Sequence, residues 1–464
     1  MSNFLRQFRN GDMFPWERDF TKEALNVAIP IIIQSIFMAS MHIIDNVMIG
    51  QLGEVELAAV TQANRITFLF QLVIFGLVSG TSTYVAQYWG KRDLKGIHSV
   101  LGLALCLSAG AALLFLIPSQ LYPRTLMHLL LEDPIAIDKA TEYLTIVSFG
   151  YLFTAMAQCY ATVQKSTEQA KLPMFADIIG LATNTVLNYC LIFGHFGFPR
   201  LGVQGGAIAT VIAIFVTLLI NVLMGYKLRL ATAAPFSALI PRSVAFAKKY
   251  LAIAIPVIVN EGLWSLGMVM YSVVYGRMGT GVVAAISIFN TVEQVSIATM
   301  RGLTSACAVL VGKRIGAGNE DGAYHTAKRM LYAAFPSGLL SGLLLLFVSV
   351  PLVGLFNVSP QVAQDARTLI RISACFAWLG QLGGLLIVGI LRSGGDVRMS
   401  LMLDAGPVWL IGVPIVALSG LVLGLEIPVV YALSYVESVV KIALGLWRFK
   451  SRKWIHNLVR EDAA

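Results

Sequence analysis

The chain has 464 residues, of which 57% are hydrophobic and 13% charged, with a formal charge of +9 and a mean hydropathy of +0.75. Soluble domains carry about 25% charged residues, so this composition excludes a string of soluble domains and fits a polytopic membrane protein with apolar runs of about 20 residues or more. The excess of positive charge does not mark a nucleic-acid binder, because the basic residues cluster in short loops between apolar runs, where membrane topology puts them.

In chain order, Phe4, Leu5 and Phe8 alternate with Arg6 and Arg9, a pattern suited to a short amphipathic helix on the membrane surface. The first apolar run follows the mixed-charge segment Glu17 to Glu23 and is too long for the core of a cleaved signal, so no signal peptide is expected. Twelve spans are predicted, at 24–49, 56–89, 97–121, 138–164, 170–194, 203–226, 246–276, 282–312, 324–350, 366–391, 397–423 and 426–447. Loops rich in Lys and Arg (Lys91, Arg92 and Lys95; Lys227 and Arg229; Lys313 and Arg314; Arg392 and Arg398; Arg448 to Lys453) alternate with loops that are neutral or acidic, such as Glu54 and Glu56. By the positive-inside rule both termini are cytoplasmic.

The stretch from Pro30 to Gly53 sets an acid, Asp45, inside the first span, and its pattern returns 226 residues later between Pro256 and Gly279. Ala28-Ile29-Pro30 matches Ala254-Ile255-Pro256, Gly50 and Gly53 match Gly276 and Gly279, Gly76 matches Gly302, and Gly90 matches Gly316. After the fourth span the offset becomes 227, so that Lys165 faces Arg392 and Asp177 faces Asp404. Six spans per half is an even number, which makes the repeats parallel and relates them by an axis along the membrane normal. The predicted architecture is all-α: a cytoplasmic segment 1–23, an N-lobe over 24–230, a cytoplasmic linking loop 231–245, a C-lobe over 246–450 and a cytoplasmic tail 451–464. Duplication of this kind commonly builds two bundles that rock about a site between them, so transport leads over mere structural duplication.

No nucleophile elbow, zinc-binding helix or nucleotide-binding loop is present, so no enzyme and no cofactor is expected. Uphill transport must then draw on an ion gradient or on an unseen partner. The five cysteines (Cys106, Cys159, Cys190, Cys307 and Cys375) fall inside apolar spans without ligand spacing and are expected as free thiols.

An ionisable residue in a spanning helix is costly and marks a candidate site. Asp45 is therefore taken as ion-coupling, while His42, three residues earlier on the same face, is expected to be only a polar neighbour. The second half carries Tyr271 in place of Asp45, and Glu261 where the first half has Ser35. Glu261 follows Pro256, which frees a carbonyl in mid-span. Three roles are open to it: a proton carrier, a ligand of Na⁺, or one half of a structural ion pair with Arg301, for which Glu293 competes. Gln34, Asn184, Asn188, Asn260 and Gln381 are amides within spans, each expected by default to bond across a helix interface or else to line a cavity, for which Asn184 and Asn188, four apart on one face, are better candidates. Asp177 and Asp404 suggest a symmetric cytoplasmic gate, with helix capping or loop pairing the simpler expectation. Trp264 and Tyr271, seven apart near Glu261, could attract lipophilic cations through their π faces or serve as packing.

Together several motifs carry a resemblance to a known family: Asp45 with Ile49-Gly50 and Leu52-Gly53 running into Leu57-Ala58-Ala59-Val60, Gly205-Gly206-Ala207-Ile208-Ala209-Thr210, Pro256 to Glu261, and Leu391-Arg392-Ser393-Gly394-Gly395-Asp396. In these, spread in order over nearly the whole chain, it resembles the multidrug and toxic compound extrusion (MATE) transporters. That resemblance implies two six-helix lobes around a central cleft, exporting organic cations in exchange for H⁺ or Na⁺. It also implies that Asp45 is the N-lobe acid, Glu261 the C-lobe acid, and that Asn184, Asn188 and Thr210 line the N-lobe cavity. The sequence departs from the family at Asn188 and Gln381, where branches of it carry aspartates, so the coupling ion does not follow from resemblance. The expectation is a monomeric antiporter of the inner or plasma membrane, surrounded by lipid. The alternatives are a flippase for lipid-linked precursors and an uncoupled channel or scaffold.

Overall fold

The computed structural model describes residues 18–240, 244–354 and 358–460. Among the described residues there is no strand, only an isolated bridge between Gly395 and Ile455. Ten helices among the described residues are long and apolar enough to cross a membrane, and the number reaches 12 when each of two bent helix pairs counts as a span. The N-terminal half contributes Arg18–Gly50, Glu54–Lys91, Leu94–Leu121, the bent pair Pro134–Val147 and Gly150–Ser166, Lys171–Phe193 and Val203–Lys227. The second half contributes Val244–Met278, Thr280–Gly316, Glu320–Val353, Pro360–Arg392, Val397–Val422 and Ile427–Lys450. The chain is an integral membrane protein, numbered below as spans 1 to 12.

Local sequence explains where the helices begin and turn. Asp93 accepts from the Gly96 amide, Asp133 from the Ile135 amide and Ser359 from the Val362 amide, and the last two are each followed by a proline at the first helical position. The turns joining spans 1 to 2 and 7 to 8 need a positive φ, which Gly53 (149°) and Gly279 (136°) supply without a Cβ penalty. The lobes differ in their last spans: span 10 ends in a π-helical stretch, Leu385–Arg392, and span 11 contains two more, Val408–Gly412 and Leu418–Val422. Such wide turns re-aim side chains and recur at functional positions.

The lobes meet where spans 1 and 2 cross span 8 and where span 2 crosses span 7. Glycines make the crossing possible, and they come in repeat-related pairs. A Cβ on Gly76 would stand 2.2 Å from Cγ1 of Ile258, and one on Gly302 would stand 2.3 Å from Cγ1 of Ile32. Nearer the helix ends, a Cβ on Gly90 would lie 1.8 Å from the Lys313 carbonyl oxygen, and one on Gly316 would lie 1.8 Å from that of Gln87. Small residues let membrane helices approach to backbone contact, and here they do so around the axis the duplication predicts.

The tightest of these contacts, at Gly90 and Gly316, lie at one end of the molecule. Lys313 also bridges Glu23 at 3.0 Å and Glu168 at 2.6 Å there. The tail beyond span 12 packs across the same end. Trp454 is fully buried, the Leu458 amide donates to Gln87 Oε1, and Asn457 donates to the Ile315 carbonyl. At the opposite end, Gly276 and Gly279 have open space where a Cβ would be, and Gly50 would meet only Leu57 of its own lobe.

Candidate functional site

In the N-lobe, span 1 brings half-buried Asp45 to span 5, where Asn188 Nδ2 donates to Asp45 Oδ1 at 2.6 Å. The Asn188 amide also lies 3.1 Å from Asn184 Oδ1, and Asn184 Nδ2 reaches Thr210 Oγ1 of span 6 at 3.4 Å. Both asparagines are buried, and the helical spacing of four stacks them on one face. Tyr143 from span 4 closes the cluster: it is buried near Asp45, and its hydroxyl reaches Asn64 and Thr210. Among the described residues Asp45 has no cation within ion-pair distance, and Asn188 Oδ1 is buried without a partner. A carboxylate held only by a neutral amide can accept a proton or a cation without first breaking an ion pair. The sequence reading placed Asp45, Asn184, Asn188 and Thr210 together, as the geometry does; it missed Tyr143, whose only signal was a tyrosine inside an apolar span. The side chain of His42 lies outside the described residues.

The C-lobe is built differently. Glu261 Oε1 pairs with Arg392 at 2.9 Å, and Arg392 also lies 3.6 Å from Asp404. Lys441 holds the other oxygen of Asp404 at 2.8 Å, while Asn260 Nδ2 donates to Asp404 at 2.8 Å. Arg392 Nε adds a bond to Ser400 Oγ at 3.2 Å, and nearby Tyr271 donates to Glu437 Oε2 at 2.6 Å. Buried charges survive in such surroundings only when paired and hydrogen-bonded.

Three expectations are corrected here. Glu261 does pair with an arginine, but with Arg392; among the described residues Arg301 has no ion-pair or hydrogen-bond partner, so neither the Glu261 nor the Glu293 pairing forms. The reason is local: Arg392 reads as a loop cation from its flanking Gly394-Gly395, yet the π-helical end of span 10 turns it inward until 3% of its side chain is exposed. Asp177 and Asp404 neither cap helices nor pair loops. Gln34 donates to Asp177 just as Asn260 donates to Asp404, and the two pairs are repeat equivalents that tie span 1 to span 5 and span 7 to span 11. Gln34 is thus engaged within its lobe, with Lys165 in electrostatic reach of Asp177. Trp264 and Tyr271 do not form one aromatic face: Trp264 is exposed, whereas Tyr271 is buried against Glu437. Glu437 and Lys441 escaped the sequence reading, although two charges four residues apart in an apolar span were a visible signal.

Two six-span lobes of common pattern, clasped through glycines at one end and each carrying a polar cluster among its helices, define a two-lobed membrane transporter. The MatE family model matches residues 30–190 and 256–418, once in each half, and the chain belongs to this family of membrane transporters, which are not enzymes. It is 25% identical over 443 residues to the uncharacterized transporter YisQ of Bacillus subtilis, covering 94% of this chain and 96% of that protein. It is 28% identical over 408 residues to the multidrug resistance protein PmpM of Pseudomonas aeruginosa, covering 85% and 83%. The crystal structure of a mutant of the Vibrio cholerae MATE transporter VcmN superposes with a TM-score of 0.86 at 18% identity, covering 95% of this chain and 98% of that one.

Proposed function

We propose that the chain exports amphipathic organic cations across the inner or plasma membrane, as a monomer with both termini cytoplasmic, in exchange for H⁺ or Na⁺. The observation that carries this reading is the Asp45 cluster: an acid held by the Asn188 amide with no cation within ion-pair distance, in the half of span 1 away from the glycine seal. Ionised, Asp45 attracts a cation; loaded with H⁺ or Na⁺, it releases one. Relatives named as multidrug resistance proteins, PmpM among them, support the export of small molecules. With the basic loops on the cytoplasmic side, the sealed end is cytoplasmic and the chain faces outward. Glu261 joins the exchange only in a state in which Arg392 lets it go.

The lipid-precursor flippase finds less support, since Arg392 and Lys441 are spent on carboxylates inside the C-lobe and do not form an anion-binding cleft. The test is efflux of a cationic dye from loaded cells, or its uptake into everted vesicles, under an imposed proton or Na⁺ gradient, comparing wild type with Asp45→Asn and Glu261→Gln. Driven efflux that Asp45→Asn abolishes supports coupled exchange and names the ion. Dye movement that is indifferent to both gradients and to Asp45→Asn rules it out.

A further inference from the structure

Two links join the lobes at the sealed end, and the repeat relates them. In the first, Lys313 of span 8 takes Glu168 Oε1, from the turn after span 4, at 2.6 Å. The offset of 226 makes Gln87 of span 2 the equivalent of Lys313, and the offset of 227 sets Gly395 where the first half has Glu168. Both turn positions have positive φ, 88° at Gly395 and 65° at Glu168. Glycine has no side chain to send across, and the tail of the chain takes its place. We propose that tail residues 456–459 form a releasable latch on Gln87, which biases the two lobes toward the state closed at this end.

The tail has an anchored half and a crossing half. In the anchored half, Trp454 is fully buried in the core of the C-lobe, stacks on Phe449 with ring centroids 6.0 Å apart, and donates from Nε1 to the Phe449 carbonyl at 3.1 Å. Arg452 lies 4.2 Å from the Tyr324 ring centroid and pairs with Asp321 at 2.6 Å. The seat is the Gly394-Gly395 pair. A Cβ on Gly394 would stand 2.4 Å from the Trp454 carbonyl oxygen, and the His456 amide donates to the Gly394 carbonyl at 2.8 Å. Burial of a large aromatic ring keeps this half with the C-lobe.

The crossing half is held more lightly. Gln87, itself fully buried, presents its side-chain amide as a neighbouring strand would present a peptide group. Its Nε2 donates to the His456 carbonyl at 3.0 Å, and its Oε1 accepts the Leu458 amide at 2.7 Å. Lys91 Nζ reaches the Val459 carbonyl at 3.3 Å, and Val459 is buried against a core built mostly from spans 2, 3 and 4. Each such hydrogen bond contributes modestly when water is the alternative. Together they shift a balance between two states without welding the lobes. The latch goes beyond the exchange proposed above and does not depend on which ion or compound is carried.

Electron–electron distance measurement between nitroxides at Lys95→Cys and Glu320→Cys tests this, since both positions are exposed at the sealed end and belong to different lobes. The full chain is used in nanodiscs, with its five native cysteines replaced by alanine. Leu458→Pro removes the amide that Gln87 accepts, and truncation after Ile455 removes the crossing half while keeping Trp454. Each should raise the population at the longer, open distance severalfold, with a melting temperature nearly unchanged because the anchor stays seated. Truncation carries the test if Leu458→Pro fails to fold. A distance distribution that truncation leaves unchanged overturns the proposal, whatever happens to the melting temperature. Because the readout is a distance and not flux, its failure is distinguishable from failure of the efflux test.

Discussion

In the N-lobe, Asp45 is held by the Asn188 amide and faces no cation; in the C-lobe, Glu261 and Asp404 share Arg392, and Asp404 takes Lys441 as well. The two lobes inherited one scaffold, visible in the matched pairs of Gln34 with Asp177 and Asn260 with Asp404. What diverged is how charge is compensated. An acid without a counter-ion stays available to a proton or a metal ion, whereas an acid locked to a buried guanidinium stays ionised and acts as structure. Asp45 stands without a charge partner, whereas Glu261, at the depth of Ser35 in the repeat, is tied by Arg392 into a brace across the C-lobe.

The largest effect that separates the lobes is on transport: Asp45→Asn should reduce gradient-driven dye efflux to background while leaving the melting temperature of the purified protein nearly unchanged. Arg392→Met should do the reverse in kind. It leaves Glu261 without its ion-pair partner, and breaking a buried pair costs about 3–5 kcal/mol, read as a large fall in thermal stability in detergent. A double-mutant cycle with Glu261→Gln should recover part of that loss; additivity of the two changes would dissolve the brace. Third, Gly316→Ala sets a Cβ against the Gln87 carbonyl and should spread spans 2 and 8, seen as severalfold faster labelling of a cysteine placed at Ala86. Asn188→Ala removes the donor that favours ionised Asp45, a hydrogen bond to a charged group worth roughly 1.5–3 kcal/mol, and should tighten half-saturation by a coupling proton about tenfold. The smallest change is Tyr271→Phe, which removes one bond to Glu437 and should lower stability by about 1–2 kcal/mol. Equal effects of Asp45→Asn and Glu261→Gln on both flux and stability would erase the contrast between the lobes.

Much of this was fixed by the chain's own pattern. Apolar runs of spanning length dictate helices, because lipid offers the backbone no hydrogen-bond partner. A constant offset between matched glycines gives the two lobes, and acids inside apolar runs point to the Asp45 cluster. The glycine pairs could be read as repeats, though not as the contact surface: that Gly76 receives Ile258 and Gly302 receives Ile32 depends on the crossing of helices from different lobes.

Charge partners were the part that only tertiary structure decided. Arg392 sits beside two glycines at a span boundary, so one-dimensional order assigns it to a loop; a π-helical turn and a long side chain carry it inward to Glu261, 131 positions away in sequence. Arg301 stands inside a span and looks like the nearer answer, yet it reaches Glu261 only at longer range, and Arg392 makes the direct contact. Hydropathy is summed along the chain and so survives without coordinates, whereas an ion pair depends on distances of a few ångströms between helices. The sequence thus determined that the protein spans the membrane as two repeated lobes with acids inside them, and the packing of those lobes determined which acid is free and which is bound.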